Sequence, residues 1–323
     1  PRRVCRVAAA MSSLLVENPG WLTTVQDLGR PGFGALGVSP SGAADPVALQ
    51  LGNLLVGNAA GAAALEMTLV GGRYLFPEGG VIALVGADFG ATLNGQALEM
   101  WIPHAVRPGG TLELGLTRAG ARCYLCIAGG IQVEQFLGSA STHLLSGLGG
   151  FAGRALRKGD VLQFGAPDQS IRRRKLSLRV REALKPRKCL RVTRGPQADW
   201  FSESATHDFF ATTFRVSEDS DRLGLRLQCS SLALESPREM ISEGVSLGAV
   251  QVTPSGQPII LFVEQQTAGG YPKIANVIGA DLHSVGQLRP RDEITFAHIS
   301  LEEARALWNA QQRLLNSGEE LFA

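Results

Sequence analysis

The segment 256–272, GQPIILFVEQQTAGGYP, contains the pattern on which the fold prediction depends. Its five apolar residues, Ile259–Val263, are too few for a typical helix and rich in β-branching, which predicts a strand buried on both faces. Polar side chains follow from Glu264 to Thr267, and a Gly-Gly pair then lets the backbone approach a ligand closely. A rigid strand that ends in polar groups is typical of a binding site, although an ordinary turn has the same composition.

A second stretch of the chain resembles this one. CYLCIAGGI at 123–131 repeats the order of apolar strand, glycine pair and bulky residue found in ILFVEQQTAGGY at 260–271. Each copy is followed by a related strand segment, KGDVLQF or RPRDEITF. The repeat predicts two similar β domains whose strand-end loops lie near a shared cleft, a favoured position for small-molecule sites.

Composition supports a β-rich globular protein of two domains. The chain has 323 residues and 39 glycines without a collagen period, which indicates many turns. The net charge of +2 does not favour nucleic acid or an anionic membrane as a partner, and no apolar run reaches the roughly 18 residues of a membrane span. The five cysteines are odd in number and scattered, so we expect buried, reduced thiols in a cytoplasmic protein and no zinc site.

The predicted organisation has five parts. Residues 1–10 are expected to be a cloning remnant or a disordered leader, 11–166 an N-terminal β domain, 167–189 a basic linker that could include a short exposed helix, 190–299 a C-terminal β domain, and 300–323 a C-terminal helix. A further helix is predicted from Gln197 to Phe210. The basic linker lacks interleaved aromatic residues, which disfavours the alternative of a nucleic-acid patch.

The stretch from Trp21 to Pro46 shows no sustained period and is predicted to be an ordered loop, because it carries many apolar residues. It is expected to carry five polar residues to a surface: Gln26, Asp27, Arg30, Ser41 and Asp45. Asp45 also precedes Pro46 and the helical pattern that follows, so it is expected to cap a helix as well as to serve a site.

No nucleotide-binding loop, nucleophile elbow or zinc motif is present, and the five histidines are not at metal-ligand spacing. No metal is therefore expected. Arginine suits a substrate carboxylate, and amide side chains suit C=O and N–H groups. Spacing alone supports an acid/base or binding site for a small polar molecule, with these polar candidates: Arg30, Ser41, Asp45, Glu243, Gln251, Glu264, Gln266, Thr267 and Tyr271.

All of these residues except Glu243 lie in five motifs that resemble one family across nearly the whole chain. The motifs are WLTTVQDLGRPGFGALGVSPSGAADPVALQLGNLLVGN, AGGIQVEQFLGSASTHLLSGLGGFAGRALRKGD, SDRLGLRL, GAVQVTPSGQPIILFVEQQTAGGYPKIANVI and LRPRDEITF. They resemble the family of biotin-dependent carboxyltransferases, KipA and the C subunits of 5-oxoprolinases, also called allophanate hydrolase subunit 2. The resemblance implies a mainly β fold of two cyclophilin-like barrels with a few short helices.

The resemblance also implies an activity. It favours a hydrolase subunit of an ATP-dependent 5-oxoprolinase, whose other components would be a KipI-like B subunit, plus a large A subunit. ATP would be used by the complex, and this chain would bind no cofactor directly. The alternatives are a urea-carboxylase-type carboxyltransferase, which would receive its carboxyl group from carboxybiotin on a separate carrier, and a KipA-like protein that binds a kinase inhibitor.

Site roles follow from the resemblance position by position. Glu264, Asp45 and Glu243 are expected to be catalytic, with Glu264 or Asp45 assisting proton transfer. The substrate-binding set is expected to be Arg30, Ser41, Gln251, Gln266, Thr267, Gly269, Gly270, Tyr271 and Pro272. The family usually has Asp at positions 243 and 264 and Thr at 268, where this chain has Glu243, Glu264 and Ala268.

Overall fold

The computed structural model describes residues 11–165, 174–229, 231–232, 234 and 240–323. The N-terminal strands are β1 (Ser12–Asn18), β2 (Leu22–Gln26), β3 (Ala64–Thr68), β4 (Arg73–Phe76), β5 (Gly80–Asp88), β6 (Thr92–Leu93), β7 (Gln96–Ala97), β8 (Pro103–Val106), β9 (Gly110–Glu113), β10 (Ala119–Ile127), β11 (Ile131–Gln132) and β12 (Val161–Phe164). The C-terminal strands are β13 (Cys189–Arg194), β14 (Phe214–Val216), β15 (Gly224–Gln228), β16 (Glu243–Gly244), β17 (Ala249–Val252), β18 (Pro258–Leu261), β19 (Ala268–Gly269), β20 (Lys273–Val277) and β21 (Glu293–His298). The α-helices are α1 (Pro46–Leu55), α2 (Leu178–Ala183), α3 (Glu203–Ala211), α4 (Leu282–Gly286) and α5 (Leu301–Leu315).

The N-terminal strands form two sheets that enclose one core. The seven-stranded sheet has the order β11-β12-β1-β4-β9-β6-β7, and the five-stranded sheet has the order β2-β3-β10-β5-β8. Strand β10 shows why the run CYLCI is apolar at every position. Cys123, Leu125 and Ile127 face the core between the sheets, whereas Tyr124 and Cys126 pack on the opposite face against α1. Both faces of the strand are therefore buried.

The C-terminal strands form a closed barrel in the order β13-β20-β17-β18-β15-β14-β21. It closes where β21 pairs with β13 in parallel. Aromatic side chains fill one end of the barrel core, where Phe209 from α3 stacks on Phe296 with ring centroids 4.5 Å apart. Strands β16 and β19 form a separate two-stranded ladder that carries the first glycine of the Gly269-Gly270 pair.

Two helix ends are encoded locally. Asp45 caps α1 by accepting a hydrogen bond from Ala48 N at 2.9 Å, and Pro46 occupies the first helical position. At α5, Ser300 and Glu303 form a reciprocal capping box. Caps of this kind contribute about 1 kcal/mol each. Both helices lie where the sequence predicts them, and the mainly β fold class with few short helices is confirmed.

Some predicted elements differ from the structure. Residues 22–26 form a strand inside the stretch predicted to be a loop, because LTTVQ is buried on both faces and so shows no alternation. The helix predicted from 197 begins only at Glu203, since Ser202 caps it after a short 3-10 turn. Cys123 and Cys126 are buried as expected, but Cys189 is exposed. The leader (1–10), residue 166 and part of the linker (167–173) lie outside the described residues, and the domain boundaries stay a prediction.

Candidate functional site

A buried arginine joins the two halves of the molecule. Arg222, which precedes β15, forms ion pairs with Glu66 of β3 through Nη1 and with Glu264 through Nε. Its Nη2 donates a hydrogen bond to Gly42 O at 2.7 Å. Burial lowers the pKa of Arg222, but attraction to the two carboxylates outweighs burial, and the pKa lies above its ordinary value. The guanidinium is therefore charged, and its position is fixed from three sides.

Both carboxylates have a second partner. Glu66 Oε2 accepts hydrogen bonds from Ala44 N at 2.8 Å and from the Tyr124 hydroxyl at 2.7 Å. Glu264 Oε2 accepts one from Leu144 N at 3.2 Å. Glu66 and Glu264 are only 2% and 3% exposed, so each charge depends on these partners rather than on water.

Arg30 lies beside this network on a tightly fastened loop. Asp27 accepts hydrogen bonds from the hydroxyls of Ser139 at 2.6 Å and Ser141 at 2.5 Å, and these tie the loop to residues 139–141. Arg30 donates through Nε to Phe136 O at 3.3 Å and through Nη2 to Ser141 O. Its Nη1 is buried and has no hydrogen-bond partner within the described chain. This nitrogen is a donor available to a ligand.

His143 completes the cluster. It is 7% exposed, and its Nδ1 accepts a hydrogen bond from Ser146 N at 3.2 Å. Burial lowers the pKa of His143, and the nearby charge of Glu264 only partly offsets this. The ring is therefore neutral near pH 7, and because Nδ1 accepts, the proton is on Nε2. Burial likewise lowers the pKa of Arg30, with Asp27 and Glu264 opposing the shift.

Arg30 and His143 both lie within electrostatic range of Glu264, whose charge influences the pKa of each. An unpartnered guanidinium N–H can bind a carboxylate or a carbonyl oxygen. A neutral imidazole can donate from Nε2 to a carbonyl oxygen or relay a proton. The arrangement suits acid/base chemistry on a small molecule that carries carboxylate and amide groups.

The glycine pair follows Glu264 by a few residues, and its first member, Gly269, lies in the two-stranded β16–β19 ladder. In the β16–β19 ladder, Glu243 pairs with Gly269, and Gly244 pairs with Ala268. A Cβ on Gly269 would lie 2.6 Å from Gln251 Nε2 and 2.7 Å from Gln266 Nε2, so a larger residue there would have to displace both amide groups. Gln251 is buried and donates to Tyr271 O at 3.4 Å, whereas Gln266 is exposed.

Glu243 lies on the exposed side of the ladder. Its Oε1 accepts a hydrogen bond from Gln197 Nε2 at 3.0 Å and lies 2.5 Å from Lys273 Nζ. The hydrogen bonds from Lys273 and Gln197 hold the pKa of Glu243 below its ordinary value. These polar partners of Glu243 are not residues of the Arg222 network.

The remaining residues of the predicted substrate-binding set differ in burial. Thr267 is half-buried and its carbonyl accepts from Val245 N at 3.2 Å, while Tyr271 is 41% exposed. Gly270 is half-buried, and Pro272 is buried. Ser41 is buried with a left-handed φ of 54°, and its hydroxyl donates to Thr142 O at 2.8 Å, which ties its loop to the chain at residue 142.

The side chain of Asp45 is already engaged away from Glu264. Its Oδ1 caps α1, and its Oδ2 accepts from Gln287 Nε2 at 2.8 Å. Burial raises the pKa of Asp45. His283 and the hydrogen bonds from Ala48 and Gln287 partly offset this increase. Asp45 is connected to Glu264 only indirectly. The Tyr124 hydroxyl accepts a hydrogen bond from Asp45 N at 2.7 Å and donates one to Glu66. Glu66 in turn pairs with Arg222, which also pairs with Glu264.

The structure identifies three site residues that the sequence prediction missed: Arg222, Glu66 and His143. Each has a signal in the sequence. Arg222 lies in the motif SDRLGLRL, Glu66 is the single charge in the apolar strand ALEMT, and His143 follows the polar run GSAST. A lone charge in a buried strand requires a partner, but the sequence does not say which residue provides it.

The residues that the structure describes contain no group of three or more His, Cys, Asp or Glu side chains close enough to hold a metal ion. The same part of the chain contains no helix with the length and apolar character needed to cross a membrane.

Comparisons with known proteins place the chain in a family. The family described as "Carboxyltransferase domain, subdomain A and B" matches residues 36–298. The chain is similar to the C subunit of 5-oxoprolinase from Escherichia coli (strain K12), with 40% identity over 93% of this chain and 96% of that protein. It is also similar to the protein of the same name from Haemophilus influenzae, with 37% identity over 88% of this chain and 90% of the relative.

Among solved structures, the K. lactis urea amidolyase superposes with a TM-score of 0.88 and 34% identity over 95% of this chain. The match spans only 20% of the amidolyase, so it concerns one region of that larger protein. The family match covers most of the chain, and two relatives match it over nearly their full length. The chain therefore belongs to the carboxyltransferase domain (subdomain A and B) family.

Proposed function

We propose that this protein is the C subunit of a 5-oxoprolinase, which hydrolyses 5-oxoproline to glutamate in a complex with partner subunits. The observation that carries the proposal is the cluster in which an unpartnered Arg30 N–H lies near a neutral His143 and a buried Glu264. The two relatives named as the C subunit of 5-oxoprolinase, matched over nearly their full length, support it. The other components of the complex are then a KipI-like B subunit, plus a large A subunit. ATP is consumed in the complex, and this chain binds no cofactor itself.

In the proposed mechanism, Arg30 Nη1 binds the carboxylate of 5-oxoproline, and His143 Nε2 donates to the lactam carbonyl oxygen as negative charge develops on it. Glu264 stabilises the positive charge on Arg30. Gln266 and the backbone of Gly269-Gly270 orient the ring amide. We assign Asp45 to helix capping, because both of its oxygens already have partners.

Access to the charged groups is part of the proposal. Arg30 and Glu264 are 2% and 3% exposed, whereas residues 145–147, two to four positions after His143, are exposed. We expect substrate to reach the cluster by displacing this segment or the Thr267–Gly270 segment, which follows Glu264 in the chain.

The test measures glutamate released from 5-oxoproline by the reconstituted complex. His143→Ala and Gln266→Ala are each expected to lower kcat/KM by about 100-fold or more, the contribution typical of a positioned acid or base or a precise substrate contact. Gln163→Ala, at an exposed glutamine on β12, is the matched control and should leave activity unchanged. Full activity in both site variants would refute the assignment.

A urea-carboxylase-type carboxyltransferase is the second candidate, because the structural match to urea amidolyase covers 95% of the chain. It would take the carboxyl group of carboxybiotin from a separate carrier. Supplying biotin carboxylase, biotinylated carrier and urea distinguishes the two, since urea-dependent consumption of carboxybiotin is expected only for this candidate. A KipA-like inhibitor-binding protein would show neither activity.

A further inference from the structure

A second cavity lies apart from the Glu264 cluster. It has a volume of about 490 Å³ and opens between the start of α1, the ends of β5 and β10, helix α4 and the segment that follows α2. Arg30, His143 and Glu264 are absent from its lining. The proposed function leaves this cavity without a role.

The floor of the cavity is buried and mixed in character. Val47, Leu51 and Leu288 provide apolar surface, and Asp45 and Gln287 provide a hydrogen-bonded polar pair. Gly120 leaves room for the Gln287 side chain beside the start of β10, because a Cβ at position 120 would lie 2.8 Å from Gln287 Oε1. The floor is therefore a fixed surface against which the apolar part of a small molecule can pack.

The wall of the cavity is basic, and most of it is built from the stretch that the sequence shows as a basic linker. Its five cations are Arg181, Lys185, Arg187, Lys188 and Arg289, against the acidic residues Asp45, Glu182 and Asp292. Asp292 already pairs with Lys188 at 2.9 Å and with Arg289 at 3.5 Å.

The other cations have weaker partners or none. Arg187 lies 3.8 Å from Asp281, at the limit of an ion pair. Arg181 and Lys185 form no ion pair with the part of the chain that the structure describes. An excess of unpaired positive charge at the mouth of an apolar pocket attracts an anion from solution. A carboxylate or phosphate is the group that such side chains bind best.

We propose that this cavity is a binding site for a small amphipathic anion, whose carboxylate or phosphate pairs with Arg181 and Lys185 while its apolar body packs on the floor. The ligand class follows from the combination of basic wall and apolar floor. The site is separate from the one proposed for 5-oxoproline, and its occupancy can be measured in the isolated chain.

The test uses the fluorescent anion 8-anilinonaphthalene-1-sulfonate and its uncharged counterpart N-phenyl-1-naphthylamine, which lacks the sulfonate. The full chain should bind the anion at one saturable site and the neutral probe at least about tenfold more weakly. Arg181→Glu/Lys185→Glu should weaken binding of the anion by a similar factor. Arg107→Glu/Lys158→Glu makes the same charge change at exposed positions outside the cavity and should have little effect.

A second variant tests the location without changing charge. Ala119 lines the cavity and is exposed, so Ala119→Phe should block both probes without disturbing the core. Octanoate and octyl phosphate then compete for the site, and whichever displaces the probe more strongly identifies the anionic group. Equal binding of charged and neutral probes, unchanged affinity in both cavity variants, or no displacement by either competitor would overturn the proposal.

Discussion

Replacing Arg222 tests whether one buried cation holds the two halves of this protein together. Arg222→Met keeps much of the side-chain volume but leaves Glu66 and Glu264 buried without their shared counter-charge. Breaking a buried ion pair by removing one partner typically costs about 3–5 kcal/mol. The remaining hydrogen bonds to Glu66 and Glu264 reduce this cost, so we expect a loss of about 3 kcal/mol in the free energy of unfolding.

Urea unfolding followed by tryptophan fluorescence measures this loss. The matched control is Arg226→Met, because Arg226 lies four residues further along, is exposed and forms no ion pair among the described residues. The control should change stability by less than about 0.5 kcal/mol. A triple variant that also carries Glu66→Gln and Glu264→Gln should recover at least half of the loss, since it removes the uncompensated charges.

The reasoning would be refuted if Arg222→Met lost less than about 1 kcal/mol, or if the triple variant were less stable than the single one. The first result would mean that the cost of burying Arg222 cancels its attraction to the carboxylates. The second would mean that the network is stabilised by its hydrogen bonds rather than by its charges.

Three further predictions concern other parts of the fold. Because burial raises the pKa of Asp45 above its unfolded value, its contribution to stability is present at low pH and is lost as pH rises through the folded-state pKa. Wild-type protein should therefore gain stability relative to Asp45→Asn as pH falls from about 7 to about 4.5, and a pH-independent difference in melting temperature would contradict this. Gly286→Ala places a Cβ 2.1 Å from the backbone oxygen of Ala44, so it should lower the melting temperature by several degrees, whereas Gly34→Ala, which meets open space, should not. Cys189 is exposed, so Cys189→Ser should remove one fast-reacting thiol equivalent from the native protein; unchanged fast labelling would contradict its exposure.

Much of the local structure is predictable from short stretches of sequence. The caps of α1 and α5 depend on side chains three residues from the groups they bind, so a short stretch contains both partners. Strand β10 is predictable for a related reason, because burial on both faces requires an unbroken apolar run. Strand β2 was missed although it too is buried on both faces, since its threonines and glutamine resemble loop residues.

Some features depend only on neighbours in the chain and therefore follow from the sequence alone. These features are the mainly β class, the helix ends and the position of the glycine pair. Hydrogen bonds and steric limits within a few residues determine them. The site depends on the tertiary structure instead, because its partners are far apart in the chain. Arg222 meets Glu66 across 156 residues, and Asp45 meets Gln287 across 242. A charged residue in an apolar strand indicates that it needs a partner, but the packing of the barrel against the two sheets determines which residue that partner is.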